Sequence, residues 1–121
     1  MRTLVLLAMM IVLAGLAVAH PASEIIAEFD LETHTLTIEL PHSVKSADKH
    51  FIDEIEIKLN GDVIITQKFM SQTNEEMQKA SYVIVDAKVS DEIEIKANCN
   101  KFGKKKETIE IEKPKPDNSE E

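Results

Sequence analysis

Apolar and polar residues alternate along most of this chain, and the alternation has the two-residue period of half-buried strands. Glu24 to Asp30 (EIIAEFD) is short and apolar-rich, and Thr35 to Leu40 (TLTIEL) places Leu36, Ile38 and Leu40 on one face. The polar residues 31–34 between them predict a hairpin loop, and Pro41 ends the second strand because it cannot donate to a ladder. Phe51 to Leu59 (FIDEIEIKL) sets Ile55, Ile57 and Leu59 on a common face. Asn60-Gly61 follows, the pair that best tolerates the positive φ angles of a type I′ turn, so Asp62 to Met70 is the return strand. Ser71 to Lys79 is polar and predicts a loop, with room for one helical turn. Ala80 to Asp86, Asp91 to Asn98 and Lys106 to Glu112 supply the remaining strands.

About seven short strands, turn signals between them and no sustained helical period predict an all-β fold, an immunoglobulin-like antiparallel β-sandwich. Enrichment in Val, Ile and Thr agrees with that class. The tryptophan and paired cysteines common in immunoglobulin domains are absent, so the expectation concerns architecture alone.

The two ends of the chain read differently. Arg2, the apolar run Leu4 to Leu16 and the small-x-small Ala17-Val18-Ala19 have the layout of a secretory signal over residues 1–19. The apolar run is shorter than the roughly 20 residues of a spanning helix. The mature protein is therefore expected to start at His20, in the periplasm or outside the cell, with one domain over residues 20–112. Residues 113–121 (KPKPDNSEE) are proline-spaced and charged, and they predict a disordered tail.

Composition narrows the partners. Without Arg2 the mature chain is slightly more acidic than the formal −8 of the whole sequence, which argues against nucleic acid and against an anionic membrane surface. Most carboxylates, including Glu54, Glu56, Glu92, Glu94, Glu110 and Glu112, alternate with isoleucines and read as a solvated sheet face. Nucleotide loops, paired zinc cysteines, haem attachment sequences and the G-x-S-x-G elbow are missing.

The candidate chemistry lies in four residues. Cys99 is the single cysteine, and it follows Ile93, Ile95 and Ala97 on one strand face, at the rim where Ala97-Asn98-Cys99-Asn100-Lys101-Phe102-Gly103 turns. A lone thiol there suits a metal ligand, a reactive group, an intermolecular disulfide or a small buried hydrophobe, and its position alone leaves these open. Folding the first hairpin back sets His20-Pro21-Ala22 opposite Pro41-His42, with His34 at the far tip. His20, His42 and His50 all stand at or beside strand ends that a sandwich can bring near Cys99. Imidazole with thiolate suits iron, copper or zinc in preference to calcium or magnesium. Simple solvation of loop histidines is the plainer alternative.

His42-Ser43, then Lys49-His50-Phe51-Ile52, then strand–Asn-Gly–strand, then the Cys99 to Gly103 turn resembles the iron-centre domain of superoxide reductases, the desulfoferrodoxin and neelaredoxin family. The resemblance spans about His20 to Glu112. It implies one mononuclear non-haem iron held by His20, His42, His50 and Cys99, with His42 and His50 matching the family's central histidines and Cys99 its axial thiolate. It also implies a superoxide-reducing activity fed by an external electron donor. The chain departs from the family at Phe102, where the last histidine ligand belongs, and at Ser43, where a proline follows the histidine. It also lacks the Glu-Lys pair before the first histidine, and its His42–His50 interval is longer. With fewer imidazoles the implied set also suits copper or zinc. Lys45, Lys49, Lys101, Lys104, Lys105 and Lys106 flank the four residues, either as a positive rim for a small anion such as superoxide or simply as soluble loops.

The layout His50-Phe51-Ile52…Asn60-Gly61…Asp91-Glu92-Ile93 is also similar to the Z subunit of thiosulfate-oxidation sulfur carriers. That likeness implies an exported, metal-free binding module and gives Cys99 no role.

Overall fold

Two sheets face each other in a computed structural model that describes residues 20–115. The signal reading of residues 1–19 and most of the predicted tail lie outside the described residues; Lys113 to Lys115 have no regular structure. The strands are β1 (Ile26–Asp30), β2 (Thr35–Pro41), β3 (Ile52–Leu59), β4 (Asp62–Lys68), β5 (Met77–Val83), β6 (Glu92–Cys99) and β7 (Lys104–Glu110). One sheet has the order β1-β2-β5 and the other β4-β3-β6-β7, with every pairing antiparallel. This is the all-β sandwich that the alternation predicts. Among the described residues no helix is long and apolar enough to cross a membrane.

The core follows from the period. Leu36, Ile38 and Leu40 of β2 and Ile55, Ile57, Ile93 and Ile95 of β3 and β6 have no exposed surface. Each such side chain contributes roughly 1.5–3 kcal/mol by leaving water. The opposite face of the larger sheet carries its charges in cross-strand pairs, Lys96–Glu56 at 3.5 Å and Lys58–Glu94 at 4.0 Å. Asn60 and Gly61 both take positive φ, 49° and 87°, as the predicted turn requires.

Three local departures have physical causes. β5 begins at Met77, inside the stretch expected to be a loop, and ends at Val83, short of Asp86. Its limits are set by β2, whose seven residues pair from Thr35↔Val83 to Pro41↔Met77, so the partner's length outweighs the apolar run Val83-Ile84-Val85. β7 likewise starts at Lys104 and stops at Glu110, because Asn98↔Lys104 and Glu92↔Glu110 are the ends of its ladder with β6. In β3 the register slips between Ile52 and Glu54, leaving Asp53 as an extra residue. That bulge turns Ile52 inward with Ile55, although they are three positions apart and strict alternation would put them on opposite faces.

The chain changes sheet between β2 and β3, between β4 and β5, and between β5 and β6. The β2–β3 crossover runs over one end of the sandwich, past the end of β6. Both central histidines lie on that crossover.

Candidate metal centre

His42 follows the last residue of β2, and His50 precedes β3 by two residues, so the crossover starts and finishes with an imidazole. Cys99 ends β6 directly across from Ile52. These placements bring donor atoms of His42, His50 and Cys99 within 4.8 Å of one another, a group that can hold a metal ion. His50 Nε2 lies 3.1 Å from Cys99 Sγ. The rings of His42 and His50 stand edge to face with centroids 4.8 Å apart.

His20 joins them from the start of the domain. Its ring centroid is 5.0 Å from that of His42 and 5.6 Å from that of His50. The segment is anchored where Ser23 N–H donates to the Pro41 carbonyl at 3.0 Å, the strand-end pairing expected of the first hairpin. His20 is exposed, and its Nδ1 lies 3.0 Å from the Pro21 carbonyl oxygen. It stands on the solvent side of the cluster, whereas His42 and Cys99 are buried at 1% and 4% exposure. All four expected residues lie at one end of the sandwich, but the donor atoms that converge are those of His42, His50 and Cys99, with His20 beside them and outside that group. His34 lies elsewhere: it occupies the β1–β2 turn with φ 53° and packs edge-on against Phe29.

The donor chemistry suits a transition metal. Burial holds the His50 imidazole below its ordinary pKa of 6.5, the nearby His42, His20 and Lys101 act in the same direction, and a backbone hydrogen bond to His20 opposes them. A His50 ring kept neutral offers the lone pair that a ligand needs. A buried thiol beside that ring supplies a soft donor, and soft sulfur with imidazole nitrogen selects iron, copper or zinc over hard cations. Phe102, in the turn after Cys99, is 65% exposed and brings no donor.

The supporting residues are amides. Asn100 brackets His50 from both sides: its Oδ1 accepts from Phe51 N–H at 2.9 Å and its Nδ2 donates to the Lys49 carbonyl at 3.0 Å. Asn98 Nδ2 donates to Asp53 Oδ1 at 2.9 Å and steadies the bulge beneath. Gly103 closes the turn, where Cys99 N–H donates to its carbonyl at 3.0 Å. Its φ is 85°, and a Cβ there would meet Pro21 Cδ at 3.0 Å, so glycine lets this turn sit against the residue next to His20.

Gln72 was not legible in the sequence. It lies in the polar stretch between β4 and β5, yet it is only 6% exposed, and its amide touches His42 on two sides. A polar residue inside a polar loop carries no signal of burial. The one hint was negative: the loop had to cross the end of the sandwich between two sheets, where some of its side chains would be covered.

Compared with known proteins, the chain matches no family model, and no curated protein matches it significantly.

Proposed function

We propose that this is an exported protein that binds one transition metal, iron foremost, through His42, His50, Cys99 and His20, and that it reduces superoxide in the manner of the superoxide reductases it resembles. The observation that carries the reading is the convergence of His42, His50 and Cys99 within 4.8 Å, from positions as far apart as residues 42 and 99. A metal held there would supply a redox centre whose potential the thiolate lowers by electron donation, with a position open to a small anion.

The chain's own residues supply the rest. His42 and His50 orient the donor set, and the burial of Cys99 keeps water and oxidants from the sulfur. Lys45, Lys49 and Lys101 are exposed around the cluster in a chain that is otherwise acidic, and a local positive rim raises the encounter rate of an anion. The net reaction takes one electron from an external donor and two protons from solvent, turning superoxide into hydrogen peroxide. Phe102 brings no donor, so the metal would rest on His42, His50, Cys99 and His20 alone.

Pulse radiolysis of the iron-loaded protein tests the activity. Superoxide decay proportional to reduced protein, one peroxide per electron consumed, and a rate that falls with added salt would support it. Decay no faster than spontaneous dismutation would refute the activity. A chain that takes up no metal at all would leave the sandwich as a binding module similar to the sulfur-carrier Z subunit.

A further inference from the structure

Gln72 is held by four atoms around one amide. Its Nε2 donates to the His42 carbonyl at 2.7 Å and to the Asn74 carbonyl at 2.9 Å. Its Oε1 lies 2.7 Å from His42 Nδ1 and accepts from the Ile52 backbone N–H at 3.3 Å. The orientation of the amide is therefore determined. Turned over, it would set its oxygen against two carbonyl oxygens and its NH2 against a backbone N–H. With Oε1 fixed as an acceptor, His42 Nδ1 must be the nitrogen that carries the proton.

The other face of the same ring has its own acceptor, the His20 carbonyl oxygen, 2.8 Å from Nε2. A neutral imidazole has one N–H for these two acceptors. The buried amide and the exposed main-chain carbonyl thus compete for the ring's proton. Gln72 is anchored from three further sides, whereas His20 belongs to the exposed start of the domain.

We infer that Gln72 is a positioning residue: its amide fixes His42 as the Nδ1–H tautomer and so leaves Nε2, the nitrogen beside the His20 carbonyl, as the free donor atom. Without it the proton moves to Nε2, which then donates to the His20 carbonyl and is blocked as a ligand. Such outer partners of a ligating histidine set its tautomer and orientation. The role of Nε2 as a ligand rests on the metal-binding reading, whereas the tautomer does not.

Long-range 1H–15N spectra of the metal-free protein, recorded on the neutral His42 ring, give the tautomer, and competition titration with Zn2+ gives the affinity. Wild type is expected to show Nδ1–H. Gln72→Met, close to isosteric, is expected to shift the ring toward Nε2–H and to weaken Zn2+ binding by about 10- to 100-fold. Gln72→Glu keeps an oxygen acceptor and is expected to restore Nδ1–H. An Nε2–H ring in wild type overturns the inference whether or not the variants fold, and so does a Gln72→Met protein with tautomer and affinity unchanged. Wild type with Nδ1–H and no Zn2+ uptake would uphold the role of Gln72 and refute the metal-binding reading instead.

Discussion

Asn100→Ala removes the clamp on His50 and nothing else from the ring's immediate surroundings. Two hydrogen bonds go, one at 2.9 Å from the Phe51 N–H and one at 3.0 Å to the Lys49 carbonyl. They differ in worth. The Phe51 N–H is part-buried and left without its acceptor, which costs about 1–1.5 kcal/mol, while the Lys49 carbonyl is exposed and rehydrates at a cost of a few tenths, roughly 1.5 kcal/mol together. The backbone bond from Asn100 N–H to the Phe51 carbonyl, 3.0 Å, survives the substitution and limits the damage. For a domain of this size that loss lowers the melting temperature by about 6–12 °C. Thermal unfolding of the metal-free protein reads it, so that stability is separated from ligation. Zn2+ affinity should fall by about tenfold, as for loss of an outer partner of a metal ligand. Asn98→Ala is the comparison: it loses the 2.9 Å bond to Asp53 and a 3.4 Å contact to the Cys99 carbonyl, should cost similar stability, and should weaken zinc binding less than Asn100→Ala does. Asn100→Ala within 2 °C of wild type, a shift of about 0.3 kcal/mol, would refute the clamp. Equal losses of zinc affinity in both variants would refute its specificity for His50.

Three further outcomes are expected. Gly103→Ala forces an L-residue to φ 85° and sets its Cβ 3.0 Å from Pro21 Cδ, so it should destabilise the fold by about 1–2 kcal/mol in urea titrations and shift the His20 resonances. Hydrogen bonds from Asn60 Nδ2, first, and from Lys88 N–H hold the Asp91 carboxyl below its ordinary 3.8. A carboxylate with a depressed folded pKa gives stability that is full above the unfolded pKa and is lost as pH falls through the folded one, so urea midpoints should drop below about pH 4 and Asp91→Asn should flatten that slope. His34→Ala, at the far tip of the first hairpin, should leave metal affinity unaltered, whereas Cys99→Ser and His50→Ala should each abolish it in the same titration.

Strands and core were legible because their physics is local. Ile93, Ile95, Ala97 and Cys99 share a buried face, and an alternating run of that kind has no other stable solution. The gathering of the histidines was legible for a related reason: they flank strand ends, and the first hairpin fixes which ends meet. What was hidden depends on partners. β5 takes its limits from β2, the bulge at Asp53 from the demand that Ile52 reach the core, and Gln72 its burial from a crossover that passes over it. None of these leaves a mark in the residue's own neighbourhood.

The central claim is that His42, His50 and Cys99 hold one metal, and metal stoichiometry tests it most directly. Protein starting at His20, purified without oxygen and reconstituted with ferrous iron, should retain about one iron per chain by elemental analysis. On oxidation it should gain a thiolate-to-ferric absorption band that Cys99→Ser lacks. Copper or zinc retained in place of iron would keep the centre and rule out the superoxide chemistry. A chain that retains no metal after reconstitution would contradict the account.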